Sequence, residues 1–241
     1  MNMINIRKAF ICIAAAAVAA VSCQKDDTLQ YNNLTMGNIV EGKFVSDQGN
    51  VFNIVDQSCI GELGKEKRAM VLCDVLNQTD GGAANEYDVR LTNFTRVLEK
   101  DAVALESAAE GDLAVENPIH IEQLWFSGGY INMMIKYNAK IGSETKHLVN
   151  LVYSKDEQGR YVLNLRHNAF GEVWTEENSS DMIIGSGYVS FPITKIVKED
   201  NAKLVFKWKW HKDVGSRFDY LFEKDYSFEF DWTRSGFEHR F

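Results

Sequence analysis

Proline is nearly absent, with two residues in 241, which excludes Pro-rich and collagen-like low-complexity architectures. Cationic charge is also short, 26 Lys and Arg against 34 Asp and Glu, and an acidic chain is a poor ligand for nucleic acid or for anionic headgroups. A membrane-crossing helix needs roughly 20 apolar residues, whereas the apolar stretch at residues 9–22 has 14 and no second such run follows. No segment recurs at a period that would build a solenoid. Motifs that carry chemistry are missing as well. There is no His-x-x-x-His and no Cys-x-x-Cys pair to start a metal site. Gly185-Ser186-Gly187 lacks the five-residue spacing of a nucleophile elbow, and Gly61-Glu62-Leu63-Gly64-Lys65-Glu66 is too short for a phosphate loop and lacks its Ser or Thr. Pairs such as Glu176 and Glu177 are too common among 34 acids to be singled out as acid and base. His147 and His167 can face each other across a hairpin, but a metal needs a third or fourth ligand that the sequence does not supply. No catalytic residue, metal or cofactor is therefore assigned, and an enzyme is not expected.

What is present is globular composition, 45% hydrophobic and 25% charged, which excludes disorder. The N-terminus reads as an export signal over 1–22, with Arg7 and Lys8 before the apolar stretch. That stretch ends in Ala20-Val21-Ser22-Cys23, which looks like the lipobox of bacterial lipoproteins. The resemblance implies that Cys23 is acylated and becomes residue one of the mature chain. Several acyl chains anchor a protein stably where one chain alone is marginal. Cleavage there removes two cations and leaves 24 Lys and Arg against 34 acids, net −10, so lipid and not a basic patch holds the membrane.

Two cysteines remain, Cys59 and Cys73. In an envelope compartment they are disulfide candidates, and a bridge would stabilise by roughly 3 kcal/mol in the chain-entropy model. The alternative is a pair of buried thiols, since Cys73 sits in the apolar run Ala69-Met70-Val71-Leu72-Cys73.

Beyond a polar tether at 23–36, apolar residues recur with period two, which argues an all-β chain. Phe44-Val45, the turn-rich Ser46-Asp47-Gln48-Gly49-Asn50 and Val51 to Val55 predict a hairpin. Strands near 68–76 and 86–97 complete a small β domain over 37–98. Residues 99–117 turn Ala- and Glu-rich and read as a linker with one or two helical turns at most. From Pro118 on, seven candidate strands (119–126, 130–137, 146–153, 160–167, 187–193, 203–211 and 225–233) predict an antiparallel sandwich over 118–241. In the last strand Tyr226, Phe228, Phe230 and Trp232 alternate with acidic and polar residues, and Phe206, Trp208 and Trp210 alternate with Lys207 and Lys209. Pairing the two strands buries the aromatics. A glycan-stacking platform is the competing use, disfavoured because the opposite face is polar and one face must be buried.

The Asp47-Gly49 hairpin, Asn117-Pro118-Ile119 running into Leu124-Trp125, and Gly129-Tyr130-Ile131-Asn132 resemble the NigD-like lipoproteins of Bacteroidota over nearly the whole mature chain. Asn117 and Ile131 depart from the Asp and Leu of that pattern. The resemblance implies an OB-like barrel followed by a β-sandwich, and a bacteriocin-associated context of the immunity or secretion kind. Lys25-Asp26-Asp27 further resembles the tag that displays such lipoproteins on the outer leaflet, and Asp27-Thr28-Leu29 fits that phylum's O-glycosylation pattern, making Thr28 a candidate site. The expectation is a surface-exposed outer-membrane lipoprotein that binds a protein or glycan partner without catalysis. A fimbrial or adhesin subunit, or a glycan-binding envelope protein, is the alternative. Fimbrillin-like maturation, however, cuts after an early Arg, and the first Arg past the signal here is Arg68, inside the first domain.

Overall fold

The computed structural model describes residues 29–30, 35–56, 63–199, 201–211, 223–232 and 237–240. Its first unit comprises β1 (Leu29–Gln30), β2 (Thr35–Val40), β3 (Lys43–Ser46), β4 (Val51–Asp56), β5 (Arg68–Gln78) and β6 (Glu86–Glu99). Five of these close a ring. β2 pairs with β3, β3 with β4, β4 in parallel with β6, β6 with β5, and β5 back to β2, while β1 adds to β5. Full closure removes sheet edges and demands strong coiling, which extra residues in a strand supply. The β5–β6 ladder shifts register at Leu72/Cys73 and at Val75/Asn77, and β4–β6 at Ile54/Asp56. The result is a small closed barrel. Its interior is filled by Phe44, Phe52, Ala69, Val71, Val75, Val89 and Leu91. Phe44 and Phe52 face each other across the β3–β4 hairpin, their rings stacked at 5.9 Å; fully burying one such side chain contributes about 1.5–3 kcal/mol. The turn that joins them is held by Ser46, whose Oγ accepts from Asn50 N at 3.0 Å, and by Gly49 at φ 88°.

The second unit contains β7 (Val103–Ala104), β8 (His120–Ser127), β9 (Tyr130–Lys140), β10 (Leu148–Lys155), β11 (Tyr161–Asn168), β12 (Met182–Pro192), β13 (Ala202–His211), β14 (Glu223–Trp232) and β15 (Phe237–Arg240). One sheet runs β12-β9-β8-β15 and the other β14-β13-β11-β10-β7. Between them lies the larger core, to which β9 contributes Ile131, Met133 and Ile135 from alternate positions and β13 contributes Leu204, Phe206 and Trp208.

The chain is all-β, as the alternation predicts, but the sandwich differs from a seven-stranded antiparallel one in two respects. It has nine strands among the described residues, because the short β7 and β15 carry too few residues to show a period. It is also mixed: β11 pairs in parallel with β13 and β7 in parallel with β10. The reason is the route of the chain, which leaves β11, crosses to the other sheet as β12, and returns as β13 running the same way as β11. The predicted β13–β14 pairing is antiparallel, with Phe206 opposite Phe228, Trp208 opposite Tyr226 and Lys209 opposite Asp225. Glu229 lies opposite Val205, not opposite a lysine, and its carboxylate pairs with Arg160.

Two features tie the units together. β6 runs out of the barrel and pairs in parallel with β12 through Val97–Glu99, so the barrel and one sandwich layer form a single ten-stranded sheet. The segment expected as a linker is docked on the other layer. Val103 and Ala104 pair with Val152 and Tyr153, turns of 3-10 helix follow at Leu105–Ala108 and Gly111–Ala114, and Arg166 Nη1 donates to the carbonyls of Ala108 (2.7 Å) and Leu113 (3.1 Å).

Candidate functional site

Of the residues singled out in the sequence, Cys23, Thr28 and Cys59 lie outside the described residues. Cys73 is a free thiol buried in the barrel core. Burial, helped by the neighbouring Asp74 carboxylate, pushes it up to about 11, which keeps it in the unreactive thiol form. Gly185, Ser186 and Gly187 fall inside β12 rather than at a strand-to-helix turn, so Ser186 has no elbow to present it. Glu176 and Glu177 sit on the exposed loop before β12.

His147 and His167 do meet. β10 and β11 place Val149 opposite His167, which brings His147, just before β10, diagonally onto the same hairpin. His147 Nδ1 lies 2.9 Å from His167 Nε2. The chain of contacts continues at both ends: His167 Nδ1 donates to Pro118 O at 3.0 Å, and His147 Nε2 reaches Glu172 Oε2 at 3.2 Å. With its Nδ1 proton committed, His167 Nε2 is left as an acceptor and His147 Nδ1 must donate to it. Burial pushes His167 down to about 4, against the opposing pull of the Pro118 carbonyl, in keeping with this neutral ring. Glu172 is held down to about 2, first by the Lys140 backbone N–H (2.9 Å) and then by Ser143. Glu172, a carboxylate, is the acceptor in its contact with the His147 ring.

Tyr137 covers the pair, its ring 4.8 Å from His147 and 6.0 Å from His167. Gly185 makes room for it: opposite Tyr137 in the β12–β9 ladder, a Cβ there would stand 2.7 Å from the tyrosine ring. Each end of the network terminates on a protein group. Among the described residues, no group of three or more His, Cys, Asp or Glu is placed to hold a metal ion.

The sequence reading missed the largest polar centre. Arg68, at the start of β5, is 0% exposed, and all five of its N–H donors are used. Nε donates to Ser190 Oγ (3.0 Å), Nη1 to Asn38 Oδ1 and Asp47 Oδ1 (both 2.9 Å), and Nη2 to Asp47 Oδ2 (2.6 Å) and Asn132 Oδ1 (3.0 Å). Asp47 thus receives the two-pronged fork that guanidinium geometry favours, and accepts from Ser127 Oγ at 2.5 Å. The Tyr130 ring lies 4.0 Å from the guanidinium carbon, a cation–π contact. Gly128, at φ 59°, is required here, because a Cβ would fall 2.2 Å from Asp47 Oδ1.

Asn38, Asp47 and Arg68 come from the barrel, whereas Ser127, Tyr130, Asn132 and Ser190 come from the sandwich. The centre is therefore a clasp between the two units. Met36, Met70 and Val97 pack beside it against Trp125 and Tyr188. One signal was available in the sequence: Asp47 and the Gly129-Tyr130-Ile131-Asn132 run, quoted for the family resemblance, converge on this arginine.

Residues 102–223 match the family described as the NigD-like C-terminal beta sandwich domain. Among solved structures, a NigD-like immunity protein from Bacteroides caccae is similar with a TM-score of 0.52 at 15% identity, covering 83% of this chain and 95% of that one. A protein of Bacteroides fragilis described as a lipoprotein gives 0.56 at 15%, covering 86% and 99%. A toxin-related protein from Parabacteroides distasonis gives 0.53 at 18%, covering 84% and 93%. At these identities the likeness is one of fold. No curated protein matches the chain.

Proposed function

The chain belongs to the NigD-like family, and from that premise we propose that it is a lipid-anchored outer-membrane protein, displayed on the cell surface, that binds a protein partner in the manner of an immunity protein and performs no chemistry of its own. The observation that carries this reading is how the buried polar groups are spent. Every N–H of Arg68 is committed to a residue of the same chain, and the His147–His167 network ends on Pro118 and Glu172. Charged groups that hold a shape are unavailable to activate a substrate. A glycan platform on β13 has no support, since Phe206 and Trp208 are buried. Anchoring rests on the Ala20-Val21-Ser22-Cys23 sequence and display on Lys25-Asp26-Asp27; the name of the B. fragilis relative agrees with the first.

The test is a strain lacking the gene, challenged with culture supernatants of competing strains of its community. Deletion should sensitise the cells to at least one supernatant, and the wild-type gene, but not Cys23→Ser, should restore resistance. Equal resistance with and without the gene would overturn the proposal.

A further inference from the structure

β12 is bonded along all 11 residues to β9 on one side, but on the other only Tyr188–Ser190 pair with β6. Among the described residues, no strand pairs with that edge over 182–187. An open strand edge presents a row of backbone donors and acceptors, and six residues of it extend about 20 Å. Two apolar side chains along it are exposed, Ile183 at 50% and Ile184 at 45%, beside the exposed Ser186. Two further apolar residues are exposed at this end of the sandwich: Ile141 (55%), whose N–H donates to Asp181 O, and Phe170 (48%). Phe170 is held at φ 47°, a conformation that costs a bulky residue of order 1–3 kcal/mol and persists only where its surroundings impose it.

Gly187 adds a specific feature. Where its Cβ would stand there is nothing within 4 Å, and its partner across the ladder is the core residue Ile135. A bare glycine in a strand marks a place where another backbone can approach closely. From this geometry we propose that the β12 edge over 182–187 receives an extended segment of a partner protein as an added strand, with one apolar side chain of that segment filling the space beside Gly187. Only a polypeptide offers alternating N–H and C=O groups at the spacing the edge requires. The segment comes from a loop or terminus rather than from a sheet. The edge opens on the side where β6 ties β12 to the barrel, and a strand still embedded in its own sheet would carry that sheet into the barrel. The inference rests on the reading of this chain as a protein-binding module and names the chemistry of what it binds.

The probe is a phage-displayed library of linear eight-residue peptides, panned on the mature chain carrying Cys23→Ser. Selected peptides should alternate apolar and polar residues, and amides within 182–187 that exchange in the free chain should slow at least tenfold in the complex. Gly187→Val, whose Cβ meets nothing within 4 Å, should keep the melting temperature and weaken peptide binding at least tenfold. Ile184→Lys should weaken it too. Enriched peptides that leave 182–187 unprotected, an edge already protected throughout in the free chain, association of the protein with itself through this edge, or a library that yields no binder would each overturn the inference. The failure of this idea is separable from that of the parent reading. If the Gly187→Val gene restores resistance in the deletion strain as fully as wild type, the edge is not the site and the module reading stands; if wild type itself restores none, the parent reading falls.

Discussion

Asp47→Asn should be among the most damaging single-atom changes available in this protein. The carboxylate is 3% exposed and its fork on Arg68, at 2.6 and 2.9 Å, carries the only negative charge among that side chain's hydrogen-bond partners. Replacing one oxygen with an NH₂ turns an acceptor into a donor that faces a guanidinium N–H in either orientation, with the Ser127 hydroxyl beside it in one of them. The guanidinium cannot escape by losing its proton, so a full charge stays buried without a counter-charge. Removing one partner of a buried pair costs about 3–5 kcal/mol. For a chain of this size each kcal/mol lowers the melting temperature by roughly 2–4 °C, so the transition should fall by about 6–20 °C. Circular dichroism melts of the mature Cys23→Ser protein measure this, with Lys43→Ala as the comparison. Lys43–Glu86 is also a 2.6 Å pair, but Lys43 is 48% exposed, and exposed pairs are worth about 0–1 kcal/mol and fade with salt. Because the clasp is shared by both units, Asp47→Asn should also separate one cooperative transition into two. A loss under about 1 kcal/mol, or a loss that shrinks in 1 M salt as that of Lys43→Ala does, would refute the assignment of a buried clasp.

Three further outcomes follow from the same geometry. His167 is pushed down to about 4 from 6.5, so the unfolded chain binds the extra proton between those values; its contribution is whole above pH 6.5 and is lost as pH falls toward 4, about 3 kcal/mol in all. Denaturant titrations should show stability dropping across that window and His167→Gln flattening the slope; an unchanged slope in the variant would contradict the network. Cys73 should resist a thiol reagent in the native protein and react once the chain is unfolded without reductant; a chain that reacts only after reduction would instead hold a Cys59–Cys73 disulfide. We propose the barrel and sandwich as two units that meet across 99–117, with the segment pinned by Arg166. Arg166→Ala should therefore accelerate limited proteolysis within 105–117, and equal cleavage of wild type and variant would remove that role.

Faces were legible in the sequence, and strand partners only where a hairpin turn or matched aromatic alternation marked them. Ile131, Met133 and Ile135 at odd positions of β9 are buried as their alternation requires, because a period of two reports which side of a sheet a residue takes. It does not report which strand lies alongside, so the parallel β11–β13 pairing was invisible. Asn132, a polar residue at an even position of β9, is fully buried, since Arg68 of the barrel reaches across to it. A single arginine at the head of an apolar strand has no periodicity to betray it. The facing of His147 and His167 followed from hairpin spacing alone. Glu172 joins them from a loop beyond β11, a contact set by tertiary folding and not by any local pattern.

The measurement that bears most directly on the account is the stoichiometry of neutralisation, made once a supernatant that kills the deletion strain is in hand. A fixed dose of that killing activity is titrated with the purified mature Cys23→Ser chain, and surviving cells are counted. A binding module predicts a sharp end point at a fixed molar ratio, independent of incubation time. Neutralisation that continues to completion at substoichiometric protein as incubation lengthens would reveal turnover and contradict the proposed binding module.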